Sequence, residues 1–334
     1  MRFALDEAAA ALRDATAGAL RGYVPGGDAD GVWDKLTAVG VLGTLVPEGR
    51  GGLGLDENAL VPVLEEIGYS GLPGPAAETI AVAAPLLQRA PAGLVAVRAG
   101  DGDLIPYGVQ APLLVMDYTV FERDQVELEE CPAVDPLRPL ARVVRTRGEG
   151  VRLDADADIM WQRGVLGTAA LLCGLSRRML DMTVEYVKRR EQYGVPVGSF
   201  QAIKHALANA LVAVEFARPA VLAAAWAQSQ SSGPRAPGSN AQSTRSSEVN
   251  HAIDPERSVS GADPERSVSA AKVLASDAAR LVARTAIQCH GAMGYTTEYD
   301  LHLFAKRVWA LAPSWGGADW HRAQILRSLT CQTT

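Results

Sequence analysis

From Gly164 onward the apolar residues of this chain recur at helical spacing. Leu172, Leu175, Met179, Met182 and Tyr186 step by 3, 4, 3 and 4, the stripe that one helix buries against others in a bundle. The same face logic covers Ile203, Leu207, Leu211 and Val214, then Leu274, Ala278, Leu281 and Thr285. Residues 159–334 are therefore expected to form a C-terminal bundle of four-helix type, with Pro219 as a kink or break. Residues 228–262 interrupt it: they are rich in Ser, Gly, Pro and Asn, which reads as a mobile surface loop. Within that stretch the run Asp254 to Ser260 recurs as Asp263 to Ser269. Two copies make no solenoid, and the second is placed to cap the next helix.

Upstream the periodicity changes. Leu113-Leu114-Val115-Met116, Gln125-Val126-Glu127-Leu128 and Leu140-Ala141-Arg142-Val143-Val144 are short runs bounded by Pro, Gly and Asp, the mark of strands. They predict a shortened β-domain over 91–158, one sheet with no second sheet to close over it. Its charged, Pro-bearing edges suit packing on a neighbour. Residues 1–90 alternate helical patches with Gly and Pro. Asp56 is a natural N-cap, Leu60, Leu64 and Ile67 recur at helical spacing, and Gly68 is expected to end that helix in a left-handed conformation. The fold class is thus α+β: an N-terminal α-helical domain, a reduced middle β-domain and a C-terminal bundle.

Charge and cysteine usage remove several function classes. The 32 Lys and Arg against 38 Asp and Glu leave a formal charge of −6, with 6% aromatics, which argues against nucleic-acid binding through a broad basic surface. No unbroken apolar run approaches the ~18–20 residues of a membrane span. Cys131, Cys173, Cys289 and Cys331 contain no C-x-x-C pair, so no cysteine zinc site is expected, and no disulfide framework. Met1 to Glu7 lead straight into an acidic, Ala-rich helical pattern without the basic and apolar regions of a signal peptide. The expected location is the cytoplasm.

Two segments are dense in groups that meet ligands. Arg189-Arg190-Glu191-Gln192-Tyr193-Gly194-Val195-Pro196-Val197-Gly198-Ser199-Phe200-Gln201 ends one long helix, turns on Gly and Pro, and starts another. Gln288-Cys289-His290-Gly291-Ala292-Met293-Gly294-Tyr295-Thr296 leaves a helix through two glycines. A guanidinium suits a pyrophosphate, Gln side chains read polar edges, and Gly lets a backbone come close to a bound group. Singly, these glycines would be ordinary turn and cap residues. As two clusters on neighbouring helices they point to a ligand.

The runs R-x-Q-Y-G-x-P-x-G-S-F-Q, from Arg190 to Gln201, and Q-x-H-G-x-x-G-Y-T-x-E, from Gln288 to Glu298, resemble the C-terminal helical domain of the acyl-CoA dehydrogenase family. Val46-Pro47-Glu48-Gly49-Arg50-Gly51-Gly52-Leu53-Gly54 is similar to that family's P-E-x-x-G-G-x-G turn. The resemblance implies FAD bound across a subunit boundary. It assigns Arg190, Gln201, Gln288 and the Gly291 backbone to the adenosine-pyrophosphate half, with Tyr193 and His290 in the same motifs.

Two departures shape the expected function. Neither the Gly-Ser-Asp turn nor the Trp-Ile-Thr strand that holds the family's isoalloxazine ring occurs between residues 90 and 160. The family's Glu base falls in register at Trp315, and an indole cannot abstract a proton. Its alternative position falls between Gly164 and Gly174, where there is no carboxylate. Glu298 and Asp300 read as capping or ion-pair residues, Asp319 as a weak substitute base, and Asp181 and Glu185 as solvated. The chain thus resembles the shortened, base-lacking subunit of a heterotetrameric (α2β2) acyl-CoA dehydrogenase of the actinobacterial steroid-degradation type. That implies a full-length partner subunit, an acyl-CoA substrate and an electron-transfer flavoprotein as acceptor. A self-sufficient homomeric flavoenzyme and a non-catalytic scaffold are the alternatives.

Overall fold

The computed structural model describes residues 5–100, 102–231 and 263–330. The N-terminal part holds α1 (Glu7–Leu20), α2 (Ala29–Ala38) and α3 (Glu57–Ser70). A π-helical stretch (Ala77–Ala83) then runs directly into α4 (Ala84–Leu87). Asp56 caps α3 as its sequence position demands, accepting from the Asn58 amide at 2.9 Å. The helix passes Gly68, however, and ends at Gly71, whose φ of 72° supplies the left-handed cap. Gly68 instead sits where α3 crosses the long helix α5 (Ala157–Arg189), and a Cβ there would overlap the Leu171 carbonyl. Gly174 does the same from the α5 side, against the Glu65 carbonyl. Two glycines thus bring two helix backbones into contact.

The middle part contains β1 (Val95–Val97), β2 (Leu104–Pro106), β3 (Leu113–Met116), β4 (Thr119–Glu122), β5 (Val126–Cys131), β6 (Leu140–Thr146) and β7 (Val151–Arg152). They form two sheets rather than the single sheet expected, ordered β1-β3-β4-β7 and β2-β6-β5. Alternation along the strands explains why. Val95, Val97 and Val115 pack into the large helical core, while Ala96, Leu114 and Met116 turn the other way and meet Ile105, Val126 and Ala141 of the second sheet. Strands β1 and β3 are therefore covered on both faces, and β1 is buried at all three residues.

The rest is helical: α6 (Gln201–Ser231), α7 (Pro264–His290), α8 (Leu301–Leu311) and α9 (Ala318–Thr330). Asp263 caps α7 through the Glu265 and Arg266 amides, the role assigned to the second copy of the repeat. The first copy, Asp254 to Ser260, lies outside the described residues. Three expectations need correction. Residues 228–231 are not loop but the last turn of α6, with Gln228 fully buried; the remainder of the expected loop, 232–262, is outside the described residues. Helix α6 runs through Pro219 without a break. Leu211, Leu274 and Leu281 point outward, 49, 42 and 38% exposed. The buried faces are instead Ala210, Val214, Ala217 and Val221 on α6, and Ala271, Ala275, Ala278 and Val282 on α7. Small side chains let these helices approach closely, which leaves the larger leucines outside. Helix α6 has no unbroken apolar run of spanning length, though its length and mean hydropathy would allow a membrane crossing; here it packs as a bundle helix through that Ala/Val face.

Candidate functional site

The two motif clusters meet at one end of the bundle. After α5 the chain makes a tight hairpin, β8 (Glu191–Gln192) against β9 (Val195–Pro196), turning on Tyr193 and Gly194 with φ of 54° and 77°. The Val197 amide closes back on the Arg190 carbonyl at 2.7 Å, and Gln201 opens α6 just beyond. Tyr186, one turn before Arg190, donates to the His290 carbonyl at 3.3 Å and stacks on the His290 ring at 4.2 Å. That contact brings the residue preceding Gly291 against the end of α5.

Arg190, Gln201, Gln288 and Gly291 are all exposed. Among the described residues the side chains of Arg190, Gln201 and Gln288 make no hydrogen bond or ion pair. Gly291 has φ 58° and ψ −132°, a conformation essentially restricted to glycine, and open space where a Cβ would stand. One free guanidinium, two free carboxamides and an accessible backbone suit a polyanionic ligand with hydrogen-bonding edges. Tyr193 is 94% exposed on the hairpin tip, with its ring edge-on to Phe200. His290 differs: it is buried, its Nδ1 is 2.8 Å from the Ala286 carbonyl, and burial holds its imidazole below the usual range. It packs within the cluster and does not share the exposed face.

The expected base position is also resolved. Trp315 is 3% exposed with φ 56°, and its indole lies on Gly164, where any Cβ would overlap the ring. Trp161 meets it edge-on at 5.5 Å. The loop is clamped from behind: Lys272 Nζ donates to the Ala312 and Gly316 carbonyls at 2.7 and 3.3 Å, and His321 Nε2 lies 2.9 Å from the Trp315 carbonyl. The carboxylates weighed as substitutes lie elsewhere. Asp319 is exposed and pairs with Arg322 at 2.8 Å, Asp181 accepts from Tyr69 at 2.8 Å, and Glu185 pairs with Arg189. Glu298 is exposed, and Asp300 stands at the N-cap of α8 without a side-chain cap bond.

Beside Trp315 a cleft of about 290 Å3 opens between the β-domain and the bundle. Its walls include Val97, Leu104 and Trp161, and its inner end holds Glu78 and Arg138, 5 and 6% exposed. Burial pushes the Glu78 carboxyl up, although the Arg138 guanidinium and the Trp315 indole favour its charged form. Sequence reasoning missed this group and the buried Lys272. A signal existed in each case: Glu78 is a single charge inside Ala76-Ala77-Glu78-Thr79-Ile80-Ala81-Val82-Ala83, and Lys272 follows Ala270-Ala271 and precedes Val273-Leu274. A charge on an apolar face is rarely buried without a partner or a role.

Comparisons with known proteins agree with this geometry. The chain matches the acyl-CoA dehydrogenase N-terminal domain over residues 2–91 and the C-terminal domain over residues 148–254 and 249–330. It is 29% identical to acyl-CoA dehydrogenase FadE34 of Mycobacterium tuberculosis, covering 90% of this chain and 42% of that one. It is 28% identical to acyl-CoA dehydrogenase IpdE2 of the same organism, covering 84% and 80%. The chain thus spans less than half the length of FadE34. Solved structures share the fold: the ChsE4-ChsE5 complex from Mycobacterium tuberculosis has a TM-score of 0.75 at 21% identity over 99% of both chains. The Tcur3481-Tcur3483 steroid ACAD variant has 0.73 at 19% over 99% of both. Butyryl-CoA dehydrogenase from Megasphaera elsdenii has 0.75 at 18% over 99% and 100%. Matched in both of its helical domains, the chain belongs to the acyl-CoA dehydrogenase family, whose cofactor is FAD.

Proposed function

We propose that this chain is the base-lacking subunit of a heteromeric acyl-CoA dehydrogenase. The observation that carries the reading is Trp315 on Gly164: the residue in register with the family's base is an indole, and it packs on the first residue of the 164–174 stretch in which the alternative position falls. Oxidation of an acyl thioester needs a carboxylate to remove the α-proton, and neither position offers one. A full-length partner subunit supplies that Glu and the flavin-ring site in an α2β2 assembly.

This chain's contribution is the exposed cradle. Arg190 would neutralise the pyrophosphate of FAD, Gln201 and Gln288 would hydrogen-bond its polar edges, and the Gly291 backbone would let it approach. Tyr193, at the tip of the hairpin, would reach over the same face, and His290 would hold the end of α7 in place. FAD held there would supply the hydride-accepting chemistry of the reaction. The cradle's full exposure favours completion by a second subunit. An electron-transfer flavoprotein is the proposed acceptor and the cytoplasm the proposed location. The substrate proposed is a steroid side-chain CoA ester, motivated by the short β-domain and the similarity to a structure described as a steroid ACAD.

Flavin content tests the reading. The chain expressed alone is expected to be colourless, and its complex with a full-length dehydrogenase to carry one FAD per two chains. Arg190→Ala should strip flavin from that complex without separating the subunits. A lone chain that purifies yellow and active overturns the proposal in favour of a homomeric enzyme, and unchanged flavin in the Arg190→Ala complex favours a scaffold. Equal turnover of straight-chain and steroid CoA esters overturns the substrate assignment.

A further inference from the structure

Arg190 and Gly291 sit at the ends of different helices, α5 and α7, and a cradle built from both needs them at one spacing. A side chain outside both motif clusters ties these ends together. Through its carbonyl Tyr186 accepts from the Arg190 amide at 2.9 Å, and through its hydroxyl it donates to the His290 carbonyl at 3.3 Å. That carbonyl belongs to the His290–Gly291 peptide, whose N–H donates to the Gln288 and Ile287 carbonyls. Two hydrogen bonds thus run from the backbone of Arg190 to the peptide plane that leads into Gly291.

The ring reinforces the hydroxyl. Tyr186 and His290 stack at 4.2 Å with 23° between their planes, and Tyr299 closes on the two at 6.1 and 5.0 Å. Aromatic contacts of this kind add to the burial of the rings. His290 is also fixed from its own helix: a carbonyl only accepts, so Nδ1, 2.8 Å from the Ala286 carbonyl, carries the hydrogen. Its Nε2 is buried without a partner. Among the described residues the His290 side chain makes no hydrogen bond to α5, and the bond that crosses to it comes from Tyr186. The turn that follows is packed down in the same way, since a Cβ on Gly294 would overlap the Ile287 carbonyl.

A position that needed only bulk would be met by Phe or Leu. Tyr186 is half-buried, and a tyrosine hydroxyl in such a place needs an acceptor; it finds one on the backbone of the cradle itself. We propose that Tyr186 is a positioning residue for the cofactor, setting the separation between Arg190 and the Gln288 and Gly291 end, and thereby the affinity for the pyrophosphate half of FAD. The inference rests on the reading of Arg190, Gln288 and Gly291 as the FAD cradle.

The test combines the FAD affinity of the complex with a full-length dehydrogenase and amide hydrogen exchange of the full chain alone. Tyr186→Phe keeps the stack and loses the hydroxyl; it is expected to weaken FAD about threefold to tenfold and to speed exchange across residues 291–296. Tyr186→Leu, which also loses the stack, should weaken FAD about thirtyfold or more. In a Gln288→Ala background Tyr186→Phe should cost clearly less, because a side chain that acts by placing Gln288 has less left to place. A tyrosine that only stabilises the bundle gives additive losses instead. Additive losses, unchanged exchange at 291–296, or wild-type FAD affinity in both Tyr186 variants while Arg190→Ala releases flavin each overturn the proposal and leave the cradle standing. If Arg190→Ala also keeps its flavin, the cradle reading falls and this inference falls with it.

Discussion

The Trp315 indole lies directly on the Cα of Gly164, with no room for a side chain at residue 164. These residues are 151 positions apart in the chain by their numbering (315 − 164), on α5 and on the loop before α9. Each makes the other's identity necessary: a ring of this size needs a bare backbone opposite, and the glycine leaves a gap that the ring fills.

Gly164→Ala is therefore expected to cost about 1–3 kcal/mol by overpacking, and Trp315→Ala about 3–5 kcal/mol by leaving a cavity. The double variant should lose clearly less than the sum, since the alanine methyl then enters vacated space. Urea unfolding of the four proteins measures the coupling. Strict additivity would mean that the two residues are not in contact.

Arg307 links three parts of the molecule. Its guanidinium pairs with Asp135 of the β-domain, donates to the Leu137 carbonyl at 3.2 Å, and reaches the Leu72 carbonyl after α3 at 3.3 Å. Asp135 is 1% exposed. Arg307→Met should cost about 3–5 kcal/mol by leaving that carboxylate buried and unpaired. Adding Asp135→Asn should recover part of the loss, measured as the denaturation midpoint.

Lys272 is fully buried, and burial lowers its amine to about 7. Between about 7 and the ordinary ~10.4 the unfolded chain holds a proton that the folded chain has released. Stability from this group therefore rises with pH across that window, by up to about 1.4 kcal/mol per unit. In Lys272→Met that component of the slope disappears, so the difference between wild type and variant should change steadily from pH 7 to 10. A constant difference would show that the amine titrates normally.

His321 acts with the same sign in a more acidic window. Burial lowers its imidazole to about 4, although the Trp315 carbonyl favours the charged form. As pH falls through ~6.5 the unfolded chain takes up a proton first, so stability is lost between about 6.5 and 4, on the order of 3 kcal/mol in all. His321→Gln should flatten this acid limb. If wild type and variant lose stability in parallel from pH 7 to 4, the ring is not held neutral by the fold.

Much of the architecture was legible locally. The Asp56 and Asp263 caps depend on a side chain and amides two or three residues away. The stripe Leu172, Leu175, Met179 and Met182 is buried as spacing demands. The runs beginning at Leu113 and Leu140 became β3 and β6. Where spacing failed, a competing long-range contact had decided. Gly68 looks like a helix end and is a helix crossing; Leu274 and Leu281 look like core, and the alanines beside them are core because two helices approach closely.

The sequence by itself determined the family, the helical and strand segments, the two motif clusters and the absence of a carboxylate at the expected base position, because these depend on residue type and near spacing. Only the tertiary structure decided that Gly164 and Trp315 occupy each other's space, that Glu78 and Arg138 share a cleft, and that Lys272 and His321 hold the loop between them. These pairs lie tens to hundreds of residues apart, and their chemistry comes from burial, which is a property of the packed chain and not of any one segment.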